Sequence, residues 1–203
     1  MKSAAALAPA PKRGHYDRAL SRNERQAVQR ERVTAAITSI GAAGGELSVA
    51  SVVERAGIGR NTFYEYFDDI EHAQATLCAR ALHDLGARIE LAFRSARTPL
   101  ERVRALARAW TDSALAHPEL TLLVLRARPP ERDAPLSPLG AHVARVLEQE
   151  TESRGTLPGL ADRLRLLAVA ATFEAVTLSS LATSSEKVPL ELVLAELALR
   201  LLR

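Results

Sequence analysis

Residues 60–67, RNTFYEYF, gather the groups best suited to engaging a polyanion: the Arg60 guanidinium, the Asn61 amide and the hydroxyls of Thr62, Tyr64 and Tyr66. Arginine matches the O6 and N7 of guanine, and asparagine matches adenine. Hydroxyls suit phosphate oxygens, contacts that set register without reading sequence. The same stretch holds four of the chain's eight aromatic side chains, Phe63, Tyr64, Tyr66 and Phe67, although the chain has 203 residues. Phe63 and Phe67 are four apart and share one helical face, so they are expected to anchor inward while the polar groups face out.

Other chemistries find little support. No phosphate-binding glycine loop, nucleophile elbow or paired-histidine metal motif occurs, so no catalytic residue, metal or cofactor is expected. The five histidines, His15, His72, His83, His117 and His142, lack metal-ligand spacing and read as single surface residues. Cys78 lies in an apolar helical stretch and reads as a small core residue, and a lone cysteine cannot form an internal disulfide. A cytoplasmic protein is expected. No uninterrupted apolar run of about 18 residues appears, so no membrane contact is expected.

The elements that must position RNTFYEYF are helices, since Ala, Leu, Arg and Glu recur throughout. A first helix is predicted in RNERQAVQRERVTAAITSIGAAGG, with Val28, Val33, Ala36, Ile37 and Ile40 as its apolar stripe and Gly44-Gly45 as its stop. Ser48 is expected to cap a two-turn helix whose inward face is Val49, Val52, Val53 and Ala56, ending at Gly57. A third short helix then runs from near Arg60 to about Phe67, packing Phe63, Phe67 and Ile58 against Val53 and the first helix. Two short helices joined by a glycine-containing turn, behind a longer helix, form the pattern of a helix-turn-helix unit. Charge agrees: residues 1–67 carry ten Lys plus Arg against six Asp plus Glu, while residues 68–203 carry seventeen against eighteen.

From about Arg22 to Leu77 the chain resembles the N-terminal domain of TetR-family transcriptional regulators, on the strength of Ala56-Gly57-Ile58-Gly59-Arg60-Asn61-Thr62-Phe63-Tyr64-Glu65-Tyr66-Phe67. The resemblance implies that Thr62, Tyr64 and Tyr66 meet phosphates, that Ser48 marks a helix N-terminus at the DNA backbone, and that Arg60 and Asn61 meet base edges. Three positions depart from the pattern. Gly59 replaces the usual serine, Ile70 replaces the usual lysine, and Glu65 sits within the recognition helix, where it either accepts from a cytosine or orients Arg60. Arg13, Arg18, Arg22 or Arg25 are the candidates to restore the missing charge.

Beyond Asp68-Asp69, read as a cap, a long helix is predicted over residues 69–97, with Gly86 its one glycine. Thr98-Pro99 starts another through His117, and Pro118 opens a short apolar one. The proline-rich stretch PPERDAPLSPLG reads as a loop, and helices are predicted at about 138–153, 158–182 and 189–202. The fold expected is all-α: an arm over 1–20, a three-helix helix-turn-helix domain over 21–68, and a bundle of about six helices over 69–203. The resemblance implies that this bundle binds a ligand and dimerises. Phe93, Trp110, Leu123, His142 and Phe173 are the candidate pocket residues, with Glu174 and Thr177 as its polar groups and a small, mostly apolar effector as its ligand. Leu166, Val169, Phe173, Val176, Leu190, Val193, Leu194 and Leu197 give the last two helices wide apolar faces, where the family forms its homodimer. The function expected is a ligand-responsive homodimeric regulator, a repressor, on a palindromic double-stranded DNA operator. The alternative is an all-α protein-protein interaction module that does not bind DNA.

Overall fold

A computed structural model describes residues 21–127, 136–152, 159–183 and 190–202. The expected N-terminal arm, with Arg13 and Arg18, and most of the proline-rich loop lie outside the described residues. Among those residues the chain forms nine helices and no strand: α1 Arg22–Ala42, α2 Val49–Ala56, α3 Arg60–Tyr64, α4 Ile70–Phe93, α5 Pro99–Ala116, α6 Pro118–Arg126, α7 Pro138–Glu152, α8 Leu160–Thr183 and α9 Leu190–Leu201. The chain divides into two compact units, Met1–Ala75 and Thr76–Arg203, with the division inside α4.

Local chemistry explains most of the helix ends. Ser21 caps α1 reciprocally with Glu24: the Ser21 hydroxyl accepts from Glu24 N at 3.3 Å and Glu24 Oε2 accepts from Ser21 N at 2.7 Å. Ser48 caps α2 in the same way with Ser51, and Thr98 caps α5 with Glu101 ahead of Pro99. The bonds from Arg97 and Thr98 N–H hold the Glu101 carboxyl below the usual carboxylate range. Gly57 ends α2 at φ 67°, with its N–H bonded back to the α2 carbonyls. That left-handed conformation crowds a Cβ against the following carbonyl. Gly57→Ala is therefore expected to lower stability by about 1–2 kcal/mol. Urea melts of the two proteins check this, and unchanged stability would mean that residue 57 has no need of the left-handed turn.

In the first unit Val33, Ala36, Ile37, Ile40, Val52, Ala56, Phe63, Phe67 and Ala73 are buried. Val28 departs from the expected inward stripe at 36% exposure, because burial of α1 begins a turn later, at Val33. On α2, Val52 and Ala56 are buried, while Val49 and Val53 are half-buried. The third helix is shorter than its periodicity suggests, ending at Tyr64, and Glu65 and Tyr66 form a turn. Asp69 then accepts the N–H of His72 at 2.6 Å at the start of α4, as a cap should.

The second unit has its own core, centred on Trp110, Phe173, Leu85, Leu106, Val143, Val169 and Leu194. Within it α9 packs on α5 and α8, and α7 on α8. By length and composition alone, residues Ala161–Ala182 of α8 are apolar enough to cross a membrane. One face of this helix, Leu166, Val169, Ala170, Phe173 and Thr177, is buried inside the bundle. Of the apolar residues expected on the outer faces of α8 and α9, Leu166, Val169, Phe173, Leu190 and Leu194 are thus core, and Val176, Val193 and Leu197 are half-buried. The large apolar side chains left outside on these two helices are Leu164, Leu167 and Leu192, with Ala171 and Ala175 among the exposed small ones.

Candidate functional site

The first unit builds a helix-turn-helix from the inside out. Phe63 is fully buried and Phe67 is 3% exposed. Their rings lie 5.8 Å apart, and Phe67 makes an edge contact with the His72 ring at 5.9 Å. Tyr64 stands edge-on to Phe63 at 5.5 Å and is 55% exposed, so its hydroxyl is available to a partner. Aromatic pairs of this geometry contribute about 0.5–1.5 kcal/mol beyond the area they bury. The two inward rings thereby fix the direction of everything else on α3.

Arg60 and Asn61 are exposed in the first turn of α3, and Thr62 is half-buried. Gly59 occupies the N-cap position and offers no side-chain bond to the helix start. The position at which Gly59 replaces serine is open: a Cβ there would meet nothing within 4 Å. The Ser48 hydroxyl is engaged inside its own cap, accepting from Ser51 N at 3.1 Å. Tyr66 is half-buried and donates its hydroxyl to Gln29 Oε1 of α1 at 3.1 Å. Burial foremost, then the charge of Glu65, pushes the Tyr66 hydroxyl above the usual tyrosine range, which keeps it a donor. Glu65 is exposed and forms no ion pair with Arg60 among the described residues. Ile70 is half-buried between exposed Asp69 and Glu71.

The Tyr66–Gln29 bond is the feature that sequence reasoning missed. Gln29 lies 37 positions from Tyr66. No local pattern connects the two; an uncharged polar residue facing the third helix is the one available signal.

In the second unit three of the seven candidate pocket residues, Trp110, Phe173 and Thr177, meet in the core. Trp110 and Phe173 pack edge to face at 5.7 Å, and Trp110 Nε1 donates to Thr177 Oγ1 at 2.7 Å. Trp110, Phe173, Thr177 and Leu123 are all buried. Trp110 and Thr177 thus satisfy each other's side-chain polar atoms. His142 is half-buried, its imidazole 3.6 Å from where a Cβ on Gly86 of α4 would lie. Burial and the Arg145 charge lower its pKa, favouring the neutral ring.

Glu174 works as a remote cap. Its Oε1 accepts from Ser137 N at 2.8 Å, from Gly140 N at 3.1 Å and from the Ser137 hydroxyl, closing the N-terminus of α7. Burial raises the Glu174 pKa, and the bonds from Ser137 and Gly140 act against that rise.

A cavity of about 470 Å³ does open in this unit, at the ends of α4 and α5 beside α7, α8 and α9. Phe93 borders it; the other six candidates do not. Leu100, Val103, Leu147, Leu166 and Leu199 line it, together with the paired Arg102 and Glu150. Its volume falls in the range of about 300–1,000 Å³ usual for small-molecule sites. Apolar walls with a few convergent polar groups are what such sites offer.

Among the described residues, then, the first unit is a helix-turn-helix and the second a helical bundle with a cavity at one end. No family profile and no curated protein matches the sequence. Solved structures do match. The fatty acid degradation regulator FadR of Bacillus halodurans is similar over 86% of this chain and 94% of its own, at 17% identity and a TM-score of 0.65. A TetR family transcription regulator of Marinobacter aquaeolei is similar over 88% and 97%, at 16% identity and a TM-score of 0.60. Thermus thermophilus FadR, a TetR family repressor in complex with lauroyl-CoA, is similar over 85% and 92%, at 22% identity and a TM-score of 0.52. The fold of this chain is that of the TetR-family transcriptional regulators.

Proposed function

We propose that the protein is a homodimeric TetR-family repressor that binds a palindromic DNA operator through α3 and is modulated by a small-molecule effector in its second unit. The observation that carries this reading is the division of labour in and just after α3: Phe63 and, past the turn, Phe67 are buried, while Arg60, Asn61 and Tyr64 are exposed. Arg60 and Asn61 are the base-edge readers, and Thr62 and Tyr64 bond phosphates. Tyr66 contributes to phosphate binding only if its hydroxyl leaves Gln29, so its part in this reading is to set the pitch of the turn after α3. Ser48 serves through the α2 N-terminus that it closes.

Exposed Leu164, Leu167 and Leu192, with the alanines of α8, supply the apolar faces on which two copies associate. The dimer places its two recognition helices about 34 Å apart, in successive major grooves. An effector that alters this separation changes operator affinity. The lauroyl-CoA complex of the Thermus thermophilus protein supports a similar response to a ligand here.

Selection of bound sites from random duplex DNA tests the reading as a whole: a palindrome supports a dimeric regulator, and no enriched site defeats it. At the selected site Arg60→Ala is expected to weaken binding by about 1–3 kcal/mol and to relax base preference at one position per half-site. Affinity is expected to fall steeply with salt. A uniform loss across all sequences would remove Arg60 as a reader, and flat salt dependence would remove phosphate binding.

A further inference from the structure

We infer that the cavity beside Arg102 takes an amphiphilic carboxylate, whose headgroup displaces Glu150 from the Arg102 guanidinium while its hydrocarbon chain fills the apolar space. The inference rests on the proposed regulator only for its consequence, that such a molecule is the effector; binding itself stands on the geometry. Arg102 is two-thirds buried at the cavity wall, 34% exposed, and its side chain is held twice, by Glu150 and by the Phe93 ring at 5.8 Å. The aromatic contact persists when the carboxylate partner changes, so the guanidinium stays aimed at the cavity. Its planar fork receives any carboxylate in two parallel bonds.

Two helix dipoles decide the sign of the preferred headgroup. Arg102 lies at the start of α5, whose N-terminus is the positive end of that helix. Glu150 lies in the last turn of α7, where a carboxylate meets the negative end of its own helix. The local field thus favours an anion beside Arg102 and disfavours the particular anion that occupies the place. Val103, Leu147, Leu166 and Leu199 make most of the remaining wall apolar, and the Thr151 hydroxyl is engaged in donating to Leu147 O at 3.0 Å, so the space suits a hydrocarbon chain. Leu100 at the rim is 42% exposed and marks the entrance.

Calorimetric titration of the full chain with decanoate, decanol and decylammonium tests the site. Decanoate is expected to bind at least tenfold more tightly than either of the others. Arg102→Met should weaken decanoate at least tenfold, whereas Glu150→Gln should tighten it severalfold by removing the competing charge. Opposite signs from the two partners of one ion pair are the mark of competition; a purely structural clamp would weaken binding in both variants. Preference for decylammonium, no decanoate binding, or weaker binding in Glu150→Gln overturns the inference. Should Arg102→Met not fold, the headgroup series and Glu150→Gln still decide. Operator affinity measured with and without decanoate separates the two proposals. Binding without any effect on operator affinity leaves the site and removes its role as effector site. Operator binding in a protein that ignores decanoate leaves the regulator and removes the site.

Discussion

Phe63→Ala is expected to destabilise the first unit by about 3–5 kcal/mol, the usual cost of truncating a fully buried phenylalanine. Phe63 is fully buried, touches Phe67 and Tyr64 through its ring, and its carbonyl accepts from Tyr66 N at 3.0 Å and Phe67 N at 3.1 Å. Removing the ring leaves a cavity beneath a helix of five residues, which is too short to hold its shape by backbone bonds alone. Domain stabilities are typically about 5–15 kcal/mol, so one such loss consumes much of the total for a small unit. Operator binding should disappear with the recognition helix. Circular dichroism against urea gives the stability, and the second unit supplies the internal control. Two separate transitions are expected, with the Trp110 fluorescence transition, which reports the second unit, unmoved. Loss of operator binding with no change in stability would instead make Phe63 a DNA contact, contrary to its burial.

The first unit was largely legible in its sequence because its determinants are local. Ser48 and Gly57 lie within a turn of what they cap. Phe63 and Phe67 declare their face by a four-residue step. What escaped is non-local: Tyr66 looks like a free hydroxyl until the fold brings Gln29 to it. The same limit acts more strongly in the second unit. Helical boundaries there follow Thr98, Pro99, Pro118 and Pro138 closely. The outer faces of α8 and α9 do not follow, since apolar spacing marks Leu166, Val169 and Leu194 as a stripe without saying whether the same chain or a second copy covers it. The cavity was illegible for a related reason. Trp110 and Thr177 look like a large ring and a polar group waiting for a ligand, yet they satisfy each other. The cavity's own charged residues, Arg102 and Glu150, lie in amphipathic helices where charges are ordinary.

Glu174 carries the clearest consequence of such a non-local pairing. Glu174→Ala is expected to cost about 2 kcal/mol, because it removes the acceptor of two N–H groups at the start of α7 together with that of the Ser137 hydroxyl. Gly140 depends on the same carboxylate. A Cβ on Gly140 would stand 2.1 Å from Glu174 Oε1 and 2.6 Å from its Cδ, so Gly140→Ala must expel the carboxylate from its place. The alanine should then destabilise by a similar amount, although alanine ordinarily favours a helix over glycine by about 1 kcal/mol. The double variant should cost far less than the two losses added, since with Glu174 already gone the new methyl group meets no carboxylate. Additive losses would show that the two residues act apart.

The pH dependence of this pair has a definite sign. Burial raises the folded-state pKa of Glu174 above its unfolded value, so the folded protein binds the proton more tightly. The stability that this proton confers is complete below the unfolded pKa and is lost as pH rises through the folded pKa. Glu174→Gln keeps an oxygen acceptor for Ser137 and Gly140 but carries no charge, so this variant should be the more stable protein at neutral pH. Its advantage should shrink as pH falls toward the range where Glu174 is protonated in both folded and unfolded chains. Urea midpoints for the two proteins at a series of pH values measure the difference directly. An advantage that instead grew with acidity would mean that the bonds from Ser137 and Gly140 outweigh burial, and that the buried group serves α7 as a carboxylate.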